Sequence, residues 1–211
     1  MLIALKKGLL DSALNFLLNA KKNHKNLGRY FSKYGISATL KMPITEEISA
    51  YVSPDIRGVL LGLVEIYQRK GKIKEAIECL EKLQEIEPED IVVKVSFSEL
   101  LFDAYPNDKR ALKKILELSK GIENETPIHT ALLLYRARAL RKLNLLDASK
   151  KTLTEALRRK KRRPEELIKA LKYERALVYL DLGKKRLARS EFEKLYAQDP
   201  DYEDVAERLG L

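Results

Sequence analysis

The residues with the strongest chemical character form a run of six consecutive cations in the last third of the chain. This basic patch consists of Arg158, Arg159, Lys160, Lys161, Arg162 and Arg163. Cations at the end of a helix complement its negative dipole, which is the structural interpretation of such a run. Clustered cations also bind phosphates, so the functional interpretation is a site for nucleic acid or anionic lipid. No aromatic residue is interleaved with the run to stack on bases, which favours the structural interpretation.

Other side chains that could do chemistry are few and scattered. His24 and His129 lie far apart, and the single cysteine, Cys79, has no histidine beside it in sequence. The glutamate pairs at 46–47 and 165–166 are interpreted as solvated carboxylates near helix N-termini, where negative charge is favourable. No phosphate-binding loop, dinucleotide fingerprint, nucleophile elbow or metal-binding histidine pair occurs in the sequence. We therefore expect no catalytic residue, no cofactor, no metal and no enzyme activity.

The composition limits the class of protein to which these residues belong. Of 211 residues, 45% are hydrophobic and 34% are charged, which is typical of a folded globular chain. Helix-forming residues dominate, and nine Gly and seven Pro fall between apolar segments, so all-α is the expected class. Residues 107–211 carry a net charge of +9 (26 Lys and Arg against 17 Asp and Glu), whereas residues 1–106 carry +1. An anionic partner should therefore meet the C-terminal half.

A repeated pattern of small, turn-forming and apolar residues organises the chain. The small anchor positions are Ala13, Ala76, Ala111, Ser149 and Ala188, and five residues before them stand Gly8, Gly71, Pro106, Asn144 and Gly183. Four residues after the anchors stand Leu17, Leu80, Ile115, Leu153 and Phe192. This spacing places each anchor and a large apolar residue on one helix face, directly after a turn. Each unit is therefore predicted to be helix, tight turn, helix.

Residues 57–202 resemble the tetratricopeptide repeat. The residues that carry the resemblance best are Tyr67, Gly71, Ala76, Leu80 and Pro88 in one repeat, and Tyr179, Gly183, Ala188, Phe192 and Pro200 in another. The last four anchors are 35, 38 and 39 residues apart, close to the ~34 of an uninterrupted array. The resemblance implies a right-handed superhelical solenoid of helix–turn–helix repeats, whose stacked helices bury a continuous core and leave a concave inner wall.

The repeat register divides the chain into consecutive segments. Residues 1–25 are predicted to form a partial N-terminal helix pair and 26–54 an irregular insert. Residues 55–202 are predicted to form four repeats, at about 55–90, 91–125, 127–163 and 164–200. Residues 201–211 are predicted to form a capping helix, because the end of a solenoid must be shielded from water.

The insert has a strand-like pattern. Apolar residues alternate with polar or small ones across 36–44, and Pro43 restricts this segment to an edge strand or an extended lid. One interpretation is plain packing on the solenoid. The other is a functional element, either a strap across the groove or a strand offered to a second subunit.

The location of the protein is expected to be cytoplasmic. The sequence has neither a secretory signal nor the ~20 consecutive apolar residues of a membrane-spanning helix. Met1 falls inside the first helix of its repeat, which is typical of a fragment. An upstream membrane anchor is therefore the alternative.

In this family, the first helix of each repeat presents one face to the groove. Transferring that face gives the partner-binding groove residues Leu61, Glu65, Gln68, Phe97, Leu100, Leu134, Tyr135, Arg138, Arg141, Tyr173, Glu174 and Leu177. The resulting wall is apolar, with aromatic anchors and a basic spot. The resemblance therefore implies a scaffold for protein–protein interaction that holds a protein or peptide segment of acidic character in its concave groove. The alternative is a basic adaptor that binds RNA or an anionic membrane surface through the C-terminal half.

Overall fold

The structure is a computed structural model that describes residues 9–23, 26, 29, 33–35, 39–159 and 161–211. Its elements are α1 (Leu10–Lys22), β1 (Leu40–Pro43), β2 (Ser49–Val52), α2 (Ile56–Arg69), α3 (Ile73–Ile86), α4 (Ile91–Ala104), α5 (Lys109–Leu118), α6 (Pro127–Lys142), α7 (Leu146–Ala156), α8 (Glu165–Asp181), α9 (Lys185–Gln198) and α10 (Val205–Leu209). Two compact units are present: Met1–Ile44 with Ser49–Leu100, and Thr45–Ile48 with Leu101–Leu211. The predicted helical class is confirmed, with a β-hairpin added in the insert.

The first unit is built around α2, which packs against both α1 and α3. The Asp55 carboxylate caps α2 by accepting a hydrogen bond from the Gly58 N–H at 2.8 Å, so one of the unpaired donors at the helix start is satisfied. The apolar face of each helix is buried between its neighbours, and the largest fully buried side chains here include Leu60, Leu63, Ile66, Leu80 and Leu83. Burial of this kind supplies the main favourable free energy of folding.

The second unit contains a run of packed helices. Helix α5 contacts α6, α6 contacts α7 and α8, α7 contacts α8, and α8 contacts α9. The Asp108 side chain caps α5 by accepting hydrogen bonds from two backbone N–H groups at 2.8 Å. Pro127 begins α6, where its missing N–H has no consequence. The side chains that fill this core include Ile115, Leu132, Leu134, Leu153 and Phe192.

Three of the predicted turns share one geometry. Gly71, Asn144 and Gly183 have φ of 68°, 60° and 72°, in the left-handed region that normally favours glycine. In each case the N–H of the next residue donates to a carbonyl five residues earlier, as in Lys72 N to Tyr67 O at 2.8 Å. Asn144 therefore replaces glycine without changing the turn, because asparagine tolerates this conformation better than most residues.

The small anchor positions lie in the core. Ala13, Ala76, Ser149 and Ala188 are fully buried, and Ala111 is 8% exposed. The Ser149 hydroxyl donates to the Ala137 carbonyl at 2.8 Å, so the only polar anchor among these five described positions is satisfied. A larger side chain would push the two helices of its repeat apart. The predicted turn residue before the first anchor, Gly8, lies outside the described residues.

Strands β1 and β2 form an antiparallel hairpin in the insert. Lys41 pairs with Tyr51 and Met42 with Ala50. Met42, Ala50 and Val52 are buried whereas Lys41 and Tyr51 are exposed, which is the period-two pattern of a half-buried ribbon. Strand β1 falls within the alternating segment 36–44, of which residues 36–38 lie outside the described residues. Strand β2 was not predicted, because no glycine or asparagine turn signal separates the two strands.

Helix α10 closes the C-terminal end of the second unit. Val205 and Leu209 are buried in a cluster with Ala176, Phe192 and Leu195. Gly210, with φ of 82°, ends the helix. The last repeat therefore does not leave its apolar face open to water at this position.

Candidate functional site

An ion-pair cluster joins the facing sides of α6 and α8 in the second unit. Arg138 and Arg141 are three residues apart on α6, so both project from one face. Arg141 Nε donates to Glu174 Oε1 on α8 at 2.6 Å, and Arg138 Nε lies 3.9 Å from Glu174 Oε2. The Glu174 side chain is 4% exposed, whereas those of Arg138 and Arg141 are 21% and 19% exposed. One buried carboxylate is thus shared by two guanidinium groups that still reach solvent.

Aromatic rings surround the Arg138 guanidinium. Its central carbon lies 5.1 Å from the ring centre of Tyr135 and 5.8 Å from that of Phe102. At these distances a ring face attracts a cation. Burial acts to lower the pKa of Arg138, but Tyr135, Glu47 and Glu174 outweigh that effect and raise the pKa above its ordinary value. Arg138 is therefore a fixed positive charge with one partly exposed side.

The hairpin tip (Thr45–Ile48) places a second carboxylate on this cluster. Glu47 Oε1 lies 3.4 Å from Arg138 Nη2, and the Glu47 side chain is 8% exposed. The interpretation of the 46–47 pair as solvated acids near a helix start is wrong for Glu47, because the fold brings it against an arginine 91 residues away. Glu46 is exposed. The two neighbouring glutamates therefore have different environments.

The C-terminal segment forms a polar and aromatic cluster against α8. The Tyr173 hydroxyl and Arg208 Nε both donate to Asp204 Oδ1, each at 2.6 Å. Burial, followed by this hydrogen bond, raises the pKa of Tyr173 to about 12. The Tyr202 ring centre lies 5.9 Å from that of Tyr173 and 5.0 Å from Lys169 Nζ. Sequence reasoning missed Tyr202 because it follows Pro200, the closing residue of the last repeat, and occupies none of the template positions.

Several predicted groove residues are core residues in the structure. Leu61, Phe97, Leu100, Leu134 and Tyr135 are each no more than 3% exposed. Their interpretation as partner-contacting surface is therefore wrong for this structure. The physical reason is that large apolar side chains gain more free energy from packing against neighbouring helices than from facing water.

The remaining predicted groove residues are partly exposed, apart from the buried Glu174. In the first unit these are Glu65 and Gln68, and Glu65 Oε1 accepts a hydrogen bond from Arg69 at 2.5 Å. In the second unit they are Arg138, Arg141, Tyr173 and Leu177. The second-unit set lies on the two helices that carry the ion-pair cluster, so this set is the candidate site.

The members of the basic patch at 158–163 differ in what they contact, and two of its arginines hydrogen-bond to other parts of the protein. Arg163 Nε donates to the Thr130 hydroxyl at 2.7 Å and Arg163 Nη2 to the Glu125 carbonyl at 3.1 Å. Arg159 Nη1 donates to the Asn124 carbonyl at 3.1 Å. These two arginines fasten the loop before α6, a role that the sequence did not suggest because the acceptors lie more than thirty residues away. Arg158, Arg159, Lys161 and Arg162 are exposed and Arg163 is partly exposed, whereas Lys160 lies outside the described residues.

No metal centre can be assembled from the residues that the structure describes, since no group of three or more His, Cys, Asp or Glu side chains converges. His129 Nδ1 lies 2.7 Å from the Thr126 hydroxyl, and His24 is outside the described ranges. Cys79 is buried, and burial raises the pKa of its thiol, which disfavours the reactive thiolate. Within the same ranges, every helix is too short or too polar to span a bilayer.

The paired helices, left-handed turns and buried small anchors define a helical repeat protein. More particularly, the sequence profile of the tetratricopeptide repeat matches two segments of the chain, residues 58–90 and 170–202. The predicted resemblance is thus confirmed. Tetratricopeptide repeats are in general scaffolds for protein–protein interaction.

Solved structures of other proteins, one of them described as a tetratricopeptide repeat protein, share the fold. TTC0263, a thermophilic tetratricopeptide repeat protein in Thermus thermophilus, is 22% identical, with 73% of this chain and 79% of that chain covered and a TM-score of 0.59. The N-terminal domain of the EccA1 ATPase from the ESX-1 secretion system of Mycobacterium tuberculosis is 18% identical, with coverage of 94% and 71% and a TM-score of 0.69. MamA is 18% identical, with coverage of 74% and 79% and a TM-score of 0.55.

These likenesses confirm the predicted fold class, a solenoid of helix–turn–helix repeats. A search of curated protein sequences finds no match. The comparisons therefore show the fold and the general role of such repeats, and the side chains of the candidate site indicate the chemistry of a partner.

Proposed function

We propose that the protein is a non-enzymatic interaction scaffold that binds an acidic segment of a partner protein on its second unit. The binding surface is the α6–α8 wall, which we define as Arg138, Arg141, Tyr173 and Leu177. An Asp or Glu of the partner pairs with Arg138, and flanking apolar side chains pack on Tyr173 and Leu177. This assignment uses an arginine and an aromatic residue, which are the side chain types that most often dominate binding energy.

The contact between Arg138 and Glu47 carries the proposal. It shows that the geometry around this guanidinium accepts a carboxylate from outside the repeats, at 3.4 Å and with the acid 8% exposed. Arginine presents several donors in a planar fork, so a carboxylate that approaches freely can bind with two parallel hydrogen bonds. The single long contact to Glu47 is weaker than that arrangement. A partner carboxylate therefore has a stronger interaction available at the same group.

The charge of the second unit supports the same choice of partner. Residues 107–211 carry a net charge of +9, and with Asp103, Glu46 and Glu47 included the second unit carries +6 (26 Lys and Arg against 20 Asp and Glu). The partly exposed cations of the wall lie within that field. A positive field speeds the approach of an acidic segment and disfavours a basic one. The neighbouring rings of Tyr135 and Phe102 stabilise the Arg138 cation while the site loses water.

A basic adaptor for RNA or an anionic membrane surface is less well supported. Two members of the basic patch, Arg159 and Arg163, donate to backbone carbonyls. Phosphate binding would depend on the exposed Arg158, Lys161 and Arg162. If affinity for RNA or for phosphatidylserine vesicles fell steeply with salt, and if neutralising these three residues reduced that slope, the adaptor function would replace the scaffold function.

The proposed function can be tested with a phage-displayed library of random peptides selected on the whole protein. We expect enrichment of peptides with Asp or Glu beside apolar residues, and we expect their affinity to fall about tenfold or more in Arg138→Gln. Arg138→Lys should lose an intermediate amount, because it retains the charge without the planar fork. Arg141 is left unchanged because it pairs with the buried Glu174.

The matched control is Arg158→Gln, which removes the same charge from an exposed position outside the wall. Its affinity should equal that of the unchanged protein. Circular dichroism should show equal helix content in all variants. Selected peptides without acidic residues, or equal losses in Arg138→Gln and Arg158→Gln, would contradict the proposed function.

A further inference from the structure

We infer that the hairpin tip is an internal ligand of the α6–α8 wall, which a partner segment must displace in order to bind. This inference rests on the proposed function and extends it. Thr45–Ile48 belongs to the second unit, together with the helices that carry Arg138 and Glu174. The tip contacts the wall at Arg138 through the Glu47 carboxylate, and this residue indicates what chemistry that position accepts.

The tip is ordered around its carboxylate. The Thr45 hydroxyl donates to Glu47 Oε2 at 2.7 Å, and the Glu47 N–H donates to the Thr45 hydroxyl oxygen at 3.2 Å. The Thr45 N–H also donates to the Ile48 carbonyl at 3.2 Å, which closes the turn. These bonds fix one carboxylate oxygen within the tip and leave Oε1 towards Arg138. The carboxylate is thus presented in advance, as in a preorganised ligand.

The burial pattern of the tip separates its two glutamates. Thr45 and Ile48 are 6% and 5% exposed, and the Glu47 side chain is 8% exposed, whereas Glu46 is exposed. The tip therefore buries an apolar residue next to an acid. A loop that served only to connect two strands would have no need to bury a carboxylate, because desolvation of an ion is costly. We therefore infer that the partner segment carries the same pair as Glu47 and Ile48, an acidic residue followed by an isoleucine.

A partner carboxylate can replace Glu47 in its contact with Arg138. Glu47 meets Arg138 through one oxygen at 3.4 Å, whereas Arg141 meets Glu174 at 2.6 Å. The Arg141–Glu174 pair is the fixed part of the cluster, and the Arg138–Glu47 pair is the replaceable part. Because the tip is tethered, it competes at a high effective concentration and lowers the apparent affinity of any ligand.

The test uses the full chain and a fluorescein-labelled peptide that reproduces residues 42–50, read by fluorescence anisotropy. Glu47→Gln removes the charge of the internal ligand, and Glu46→Gln removes the same charge from the exposed neighbour. We expect Glu47→Gln to bind the peptide about tenfold more tightly than the unchanged protein, and Glu46→Gln to bind it as the unchanged protein does. In a control peptide, Gln replaces the glutamate that corresponds to Glu47. This peptide should bind Glu47→Gln no more tightly than it binds the unchanged protein.

A second measurement follows the tip itself. Hydrogen exchange of residues 44–49 in the unchanged protein should rise when an acidic peptide selected on the wall is added at saturation, because the tip leaves the wall. Equal peptide affinities for Glu47→Gln and Glu46→Gln, or unchanged exchange at the tip, would overturn the inference. If the inference failed but the selected peptides still required Arg138 for binding, the proposed function would remain supported. If their binding did not depend on Arg138, the proposed function would be wrong as well.

Discussion

The most informative single residue in the cluster is Glu174, because its two carboxylate oxygens face two arginines from a buried position. We predict that Glu174→Gln destabilises the second unit far more than Asp181→Asn does. Both acids pair with Arg141, at 2.6 Å for Glu174 and 3.4 Å for Asp181. Their environments differ, since the Glu174 side chain is 4% exposed and that of Asp181 43% exposed. The comparison therefore sets a buried carboxylate shared by two arginines against an exposed carboxylate that pairs more loosely with one of them.

The magnitude follows from that difference. Removing one partner of a fully buried ion pair costs about 3–5 kcal/mol. Arg138 and Arg141 remain about one-fifth exposed and the glutamine amide keeps one hydrogen bond, so we expect about 2 kcal/mol for Glu174→Gln. The exposed pair should contribute less than about 0.5 kcal/mol.

Urea unfolding, followed by far-ultraviolet circular dichroism with unchanged m values, measures both free energies. A loss in Asp181→Asn equal to or larger than that in Glu174→Gln would refute the reasoning.

Three further predictions concern the framework of the second unit. Arg163→Gln should lower the free energy of unfolding by about 1–2 kcal/mol, because its guanidinium holds the loop before α6, whereas Arg158→Gln should have almost no effect in the same urea titration. Asn144→Ala should cost about 1 kcal/mol and Asn144→Gly should be neutral or stabilising, as read from thermal melting, because φ is 60° at this turn. The hydrogen bond from Arg208 lowers the pKa of Asp204, so its stabilisation is present above the ordinary pKa and is lost as the pH falls through the folded value. Asp204→Asn should therefore flatten the fall in stability as the pH drops below about 4, the ordinary pKa of an aspartate.

The repeat framework could be predicted because each of its signals is local. A small anchor, a turn former five residues before it and a large apolar residue four residues after it all lie within one turn and one helix. Asn144 illustrates how far this reasoning extends. The sequence indicates a turn at that position, and the structure shows the same left-handed geometry as at Gly71 and Gly183.

The candidate site was predicted only in part, because its contacts join distant segments. Arg138, Arg141 and Tyr173 follow from the helix face of the repeat, but the approach of Glu47 depends on a hairpin that has no conventional turn signal. The prediction also placed Leu134 and Tyr135 on the wall, where the structure buries them. A helix face alone does not determine which of its apolar residues neighbouring helices will cover.

The most direct test of the account is a double-mutant cycle between Arg138 and the acidic residue of a selected peptide. Four dissociation constants are measured, for the unchanged protein and Arg138→Gln with the acidic peptide and with its Gln counterpart. The account predicts a coupling free energy of about 1–3 kcal/mol, because the two groups then form a charge-assisted pair at a desolvated site. A coupling free energy of zero within error would show that the peptide acid does not meet Arg138, and the proposed binding site would be wrong.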